Sequence, residues 1–437
     1  LQNCHQLKTF ILECKSLNYE WVKILERMPN LERLIIKDNV YCIKEGEDTL
    51  ISEVSKLQKL KYVDFNFPFH IDTVTKICNC KTLASSVSSL RFQFPSKNNL
   101  KFSYAALMQL SHTLSKLDIT CSDNMKMFQR VISGFTRLRK LSLRLFTDFV
   151  DEDKTREFFG SLPTCICILS FRSAELRYFP HVSHMCNLEK IKFVASTCER
   201  HFPDWFSSLP RLNSVIISKS RFKLMEFLSF KKCSKLERLV LSKYELKKLP
   251  RNFAPLCLKV LDLSNCQLTT IPEDQYNLSK LETLIVAHNY KLNLHSMTGK
   301  MSLSQMVNLR KLIFDCTPKR SDVENSKGEM QIVPVEFSRL YKLEKIVLNN
   351  LNLKVFPSAF LDLSNLEYLS LTRNFISSFP AIDSSTFPNL KYLFLQYNNI
   401  KDVPLDVLSN MRALQVVDLR ANPFVENSRK KICSQTY

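Results

Sequence analysis

Leu366-Glu-Tyr-Leu369-Ser-Leu371-Thr-Arg-Asn374-Phe-Ile376 and Leu390-Lys-Tyr-Leu393-Phe-Leu395-Gln-Tyr-Asn398-Asn-Ile400 share one pattern, L-x-x-L-x-L-x-x-N-x-[LI], set 24 residues apart. The same frame is legible from Leu236, Leu258, Leu343 and Leu414. With substitutions it extends through Leu7, Leu31, Leu60, Val87, Leu114, Leu138, Ile166, Leu188, Leu212, Leu281 and Leu309. That makes about 17 repeats, mostly 22–24 residues apart with some near 28, a period that marks stacked structural units. Alternating apolar positions such as Leu369 and Leu371 put one face of a short strand inward. Each coil then turns, runs back over the outside and starts the next strand beside the last. A single coil cannot bury its apolar edges, so its neighbours must supply the core. The ninth-position asparagine is suited to hydrogen-bond turn backbone from inside the coil. Asn39, Asn289, Asn374, Asn398 and Asn422 hold that place, Cys266 replaces it, and Pro68 and Phe146 mark repeats that have lost it.

The outer segments change character along the chain. From about residue 236 they read L-x-x-[LIFV]-P, as in Leu353-x-x-Phe356-Pro357 and Ile376-x-x-Phe379-Pro380. Proline fixes φ and lacks an N–H, which predicts extended or short 3-10 backs there. Earlier repeats are longer, and Leu50, Val54 and Leu57, like Phe128, Val131, Ile132 and Phe135, fall on single helical faces. The expectation is one α/β solenoid domain over residues 1–424, its back more helical before about 165. A polar insertion at about 317–329 and a polar tail at 425–437 complete it. The first strand, near Leu7-Phe10-Leu12, has no polar cap, so a preceding segment is expected.

The formal charge is +20, which favours an acidic partner. Only 5 glycines occur, which weighs against a Gly-rich phosphate loop. The 15 cysteines form no dense framework and read as reduced, packed thiols, hence a cytoplasmic setting. No apolar run approaches the roughly 20 residues of a membrane span. No nucleophile elbow, P-loop or zinc-protease motif is present, so the reading is not an enzyme and implies no cofactor. His181-x-x-His184-x-Cys186 with Cys198-x-x-His201 superficially suggests zinc, but the spacing fits no zinc module and no metal is expected. Cys78-x-Cys80 and Cys165-x-Cys167 read as packing residues.

The repeat resembles the leucine-rich-repeat superfamily over almost the whole chain. That resemblance implies a horseshoe with a parallel concave sheet, used for protein binding. His201-Phe-Pro-Asp-Trp205-Phe-Ser-Ser-Leu209 and the proline-ended backs resemble the sensor segment of nucleotide-binding immune receptors, pointing to a signalling role in innate immunity. A substrate-recognition subunit of a ubiquitin ligase and an extracellular receptor fragment are the alternatives.

Two candidate surfaces follow from the frame. The strand positions between the leucines face outward, which places Tyr368, Tyr392, Phe394 and Tyr397 on the concave face, with Arg373, Arg420, Lys345 and Gln396 beside them. Exposed aromatics with arginines are enriched in binding hot spots. Between Arg211 and Lys259 there are 13 basic residues against 3 acids. Lys219, Arg238, Lys243 and Lys259 are placed on the same face as a patch for an acidic partner. No nucleic-acid-binding motif accompanies the charge.

Overall fold

The computed structural model describes residues 4–14, 22–38, 47–68, 71–93, 104–121, 125–145, 151–173, 178, 181–194, 197–198, 204–218, 221–222, 230, 232–243, 246, 255–269, 278–294, 306–316, 331–379, 386–402, 408 and 411–424. The 317–329 insertion, the 425–437 tail and Asn39 lie outside them. The chain divides into two compact units, residues 1–212 with 220–223, and residues 213–219 with 224–437.

In the first unit the frame produces, among the described residues, eight parallel strands: Thr9–Cys14, Arg33–Asp38, Tyr62–Pro68, Ser89–Gln93, Lys116–Cys121, Lys140–Leu145, Ile168–Ser173 and Lys190–Val194. The leucine-type positions stack in register, as in Leu117↔Leu141↔Leu169↔Ile191, and all four are essentially inaccessible. The return segments here are helical: Glu47–Ser55, Ile71–Asn79, Lys81–Ser86, Met125–Ile132 and Glu152–Gly160. The last starts at Asp151, whose carboxylate accepts from the Asp153 and Lys154 amides, an N-cap that satisfies otherwise orphaned donors. Both helical faces read from the sequence are buried, Leu50, Val54 and Leu57 in one repeat and Phe128, Val131, Ile132 and Phe135 in another. Phenylalanine fills the wide interior these helices create. Phe158, Phe159, Phe171 and Phe193 form a chain of ring contacts with centroids 4.7–5.6 Å apart, within the range where edge and offset packing is favourable.

The second unit has nine parallel strands among its described residues: Ser214–Ser218, Arg238–Ser242, Val260–Asp262, Thr283–Ile285, Lys311–Ile313, Lys345–Val347, Tyr368–Ser370, Tyr392–Phe394 and Val416–Asp418. Most are only three residues long, and the backs are extended or short 3-10 turns, such as Val335–Arg339 and Ser358–Phe360, each following a proline. Short strands leave much backbone to satisfy by other means, and the ninth-position asparagine does this. Asn374 accepts from the Leu351 and Leu353 amides at 2.9 and 3.2 Å and donates to the Leu348 and Leu371 carbonyls at 2.8 Å each. Asn289 does the same for Cys266, Leu268, Leu263 and Val286. Asn398 and Asn422 continue the row. Every one of these side chains ties its own coil to the preceding one. Cys266 keeps part of the role, its thiol donating to the Leu241 carbonyl at 2.9 Å.

Two regularities were not read from the sequence. The residue before the asparagine position takes a left-handed conformation: Lys243, Asn265, His288, Asn350, Arg373, Tyr397 and Ala421 all have φ between 56° and 65°. Non-glycine residues rarely adopt it. Here the turned amide is repaid, since each of the first six donates to a carbonyl of the next coil at 2.7–3.0 Å. Just ahead of the strands, a side-chain donor reaches back to the preceding coil. Asn30, Asn187, Asn308, Asn365 and Asn389 donate to backbone carbonyls at 2.6–3.1 Å. Cys165 and Cys257 occupy the same place with longer thiol bonds. Cys165 is therefore a hydrogen-bonding link as well as a packing residue.

Two outcomes test this architecture by denaturant unfolding. Leu369 is fully buried between Ile346 and Leu393, so Leu369→Ala is expected to cost about 2–5 kcal/mol, the usual penalty for a buried leucine cavity. Asn374→Ala leaves the Leu351 and Leu353 amides and the Leu348 carbonyl inside without a partner, while the Leu371 carbonyl keeps Asn398, and is expected to cost on the order of 3 kcal/mol. Asn374→Asp, which keeps the acceptors but loses both donors, should fall nearly as far. An Asn374→Ala protein with unchanged stability would show that the ladder carries no weight.

Candidate functional site

The strand frame fixes which side chains can form a surface. Tyr368 and Tyr392 sit opposite one another in register, as do Ser370 and Phe394. Because Leu369 and Leu393, which follow the tyrosines, take the interior, Tyr368, Tyr392 and Phe394 stand on the opposite, solvent side of the sheet. The three rings form a cluster: Tyr368 lies 6.0 Å from Tyr392 and 5.2 Å from Phe394, centroid to centroid. All three are half-buried by one another and by the flanking strands. Lys345, one strand earlier in the same row, places its ammonium 3.8 Å from the centre of the Tyr368 ring, a cation–π contact. Burial, with Asp315 nearby, pushes the Tyr368 phenol above its ordinary value. Its hydroxyl is therefore a neutral donor and acceptor across the physiological range.

Tyr397 is placed differently from the sequence expectation, and Arg373 shares its setting. Both occupy the left-handed position past the strand end, so they project from the turn bordering the sheet. There they pair with each other, the guanidinium carbon 4.7 Å from the ring centre. Tyr397 keeps 53% of its surface exposed, which leaves it open to a partner. Arg420 is exposed and held by Asp418 of its own coil through two contacts at 2.9 and 2.6 Å. That bond holds the Asp418 carboxyl below its ordinary value. Gln396 lies between them in sequence, and its Oε1 is buried with no hydrogen-bond partner among the described residues. The surface thus combines apolar rings with two cations already seated on rings. That chemistry suits recognition.

The basic stretch is not assembled as expected. Lys219 lies outside the described residues. Arg238 is on a strand, but Lys243 sits on the turn that follows it, at φ 65°. Lys259 precedes the next strand and is bound to Glu237 at 2.9 Å. These positions fall on different parts of the coil because the frame counts strand residues beyond where the short strand ends. In the histidine–cysteine motif, His184 contacts the Leu162 carbonyl at 3.0 Å and His181 packs near Trp205. His201 and the side chain of Cys198 lie outside the described residues.

A second surface went unnoticed in the sequence. In the first unit, Arg91, Lys140, Arg144, Arg172, Lys190 and Lys192 line one open cleft of about 360 Å³. They come from four repeats spaced unevenly in the chain, so no run of basic residues announces them. Writing the strand positions of successive repeats beneath one another would have shown them.

Comparison with known proteins agrees with this architecture. Two family profiles, both described as leucine rich repeat, match residues 257–278 and 371–424. Podocan of Mus musculus is 27% identical over 59% of this chain, and the chain spans 44% of that protein's length. A leucine-rich-repeat protein of Leptospira interrogans shares the fold with a TM-score of 0.51 at 18% identity, covering 99% of this chain and 95% of that one. A chain of the Toll–Spatzle complex of Drosophila gives a TM-score of 0.56 at 16% identity, covering 95% of this chain and 57% of its own. With its repeat frame, its parallel sheet and its asparagine ladder, the chain has the leucine-rich-repeat fold, and residues 257–278 and 371–424 match leucine-rich-repeat families.

Proposed function

We propose that the chain is a protein-recognition module, the sensor or scaffold part of a larger signalling protein, and that it engages its partner through the aromatic face of the second unit. One observation carries this reading. Tyr368, Tyr392 and Phe394 gather on the solvent side of consecutive strands, where the fold asks for no apolar residue. Tyr397 and Arg373 extend the same face at the turn. Tyrosine and arginine supply large contact area with directional polar tips, which is why they dominate interface energetics. The likeness to a chain of the Toll–Spatzle complex, described as a molecular hub in development and innate immunity, supports a recognition role in the same broad sense.

We also place the protein in a reducing, cytoplasmic compartment. None of the ten cysteines whose side chains are described forms a disulfide. Burial pushes the thiols of Cys78 and Cys316 up to about 12 and that of Cys233 to about 11, which makes them inert core groups.

Both readings have direct tests. The double variant Tyr392→Ala with Phe394→Ala is expected to lose on the order of 2 kcal/mol or more of affinity for a partner isolated by cross-linking, with a much smaller loss of stability. A variant that unfolds yet binds normally when folded would return the rings to a structural role. Denatured protein taken from its native cells under rapid alkylation should show all 15 cysteines as free thiols. Paired cysteines there would favour the secreted receptor instead.

A further inference from the structure

The cleft in the first unit has an internal order. Its middle row runs Arg91, Asp118, Ser142, Ser170 and Lys192, in register across five strands. Two residues earlier along the strands stand Lys140 and Lys190, separated in their row by Ile168. Two residues later stand Arg144 and Arg172, directly paired in register. The two serines therefore form a low floor, with lysines along one side and arginines along the other. Six basic side chains against the single acid Asp118 leave a formal excess of five positive charges in the cleft.

Among the described residues little answers that charge, although Lys190 has a partner of its own. Arg91 is held between Asp64 and Asp118, at 3.4 Å from each. Lys140, Arg144, Arg172 and Lys192 make no ion pair among the described residues. Burial, and then the neighbouring Arg172, lower the Arg144 guanidinium below its ordinary value. Burial also raises the Asp118 carboxyl. Crowded, partly desolvated like charges carry a free-energy cost that an anion in the cleft would offset.

We propose that this cleft binds an extended acidic segment of a partner protein, laid across the strands over Ser142 and Ser170. An extended chain sends successive side chains to opposite sides. That alternation matches a floor flanked by two cationic rows, with carboxylates reaching the lysines on one side and the arginines on the other. Guanidinium forks donate to carboxylates bidentately. The serine hydroxyls are placed to bond the segment's amide groups. A single-stranded nucleic acid is less suited, because the one aromatic residue at the cleft, Phe171, is buried in the core and offers no platform for a base. The site shares no residue with the aromatic face, so either assignment stands or falls without the other.

Fluorescence anisotropy on the full chain, with a fluorescein-labelled oligoglutamate peptide as probe, tests the assignment. A heparin oligosaccharide and an oligothymidylate serve as competitors. The peptide should bind, and more weakly as salt rises, because exposed charges are screened over about 8–10 Å at physiological salt. Replacing Arg144 and Arg172 by glutamine should cut affinity roughly tenfold or more, the scale for removing partly desolvated interface charges. Asp118→Asn, nearly isosteric, should tighten binding by removing the one repelling charge, and it carries the test alone if the double variant does not fold. Lys354→Glu with Lys401→Glu, exposed residues of the second unit, should leave affinity unchanged. Absence of peptide binding, or affinity unmoved by the Arg144/Arg172 or Asp118 changes, would overturn the proposal. So would heparin or oligothymidylate occupying the cleft in preference to the peptide.

Discussion

In the second unit a coil cannot close on its own atoms. The amides of Leu351 and Leu353 have their acceptor on Asn374, a side chain of the following coil, and Asn374 in turn donates across to Leu348. The same exchange recurs at Asn289, Asn398 and Asn422, all buried. Buried backbone groups without partners are costly, so each coil is stable only when the next is present. Repeated coil-to-coil bonding is the constraint from which the rest follows. It sets the parallel register, brings equivalent positions of successive repeats side by side, and leaves one face of the sheet free of structural duties.

The balance of forces differs between the two units. In the first, longer strands satisfy more backbone, and wide helical coils are filled by phenylalanine, as with Phe158, Phe159 and Phe171. In the second, three-residue strands are compensated by side-chain amides and by left-handed residues whose amides reach the next coil. Surface ion pairs such as Lys61–Glu32 and Lys391–Glu367 link neighbouring coils too. Exposed pairs of this kind contribute about 0–1 kcal/mol each, less than a buried leucine or a satisfied buried asparagine. Interior amides and apolar side chains, not surface charge, hold the stack. The charge is then available for recognition.

The stacking was legible in the sequence because it depends on residues that recur at fixed offsets. Leu369, Leu371 and Asn374 announce an inward face and an interior hydrogen bond within nine residues. The helical faces of Leu50, Val54 and Leu57 and of Phe128 to Phe135 were legible for the same reason. What the pattern could not show was where each short strand stops. Tyr397 and Lys243 were read as strand-face residues, yet they sit one step beyond, as Arg373 does, where the backbone turns left-handed to reach the next coil. The basic cleft escaped for a related reason. Arg91, Lys140, Arg144, Arg172 and Lys192 are neighbours only through register, and the unequal repeat lengths between them hide that register from any linear reading. The row of donors from Asn30 to Asn389 was missed because its members differ in type and lie outside the leucine frame.

The claim that coils complete one another's backbone can be examined directly by residue-resolved amide hydrogen exchange. The amides of Leu351, Leu353, Ile376 and Ile400 lie outside every strand and helix, so by local structure alone they would exchange as fast as exposed loop amides. Their acceptor in each case is a buried asparagine of the adjacent coil. Protection of these four amides to the level of strand amides such as Leu369 and Leu393 is the result expected of this architecture. Exchange at the rate of the open Val355 turn would contradict it.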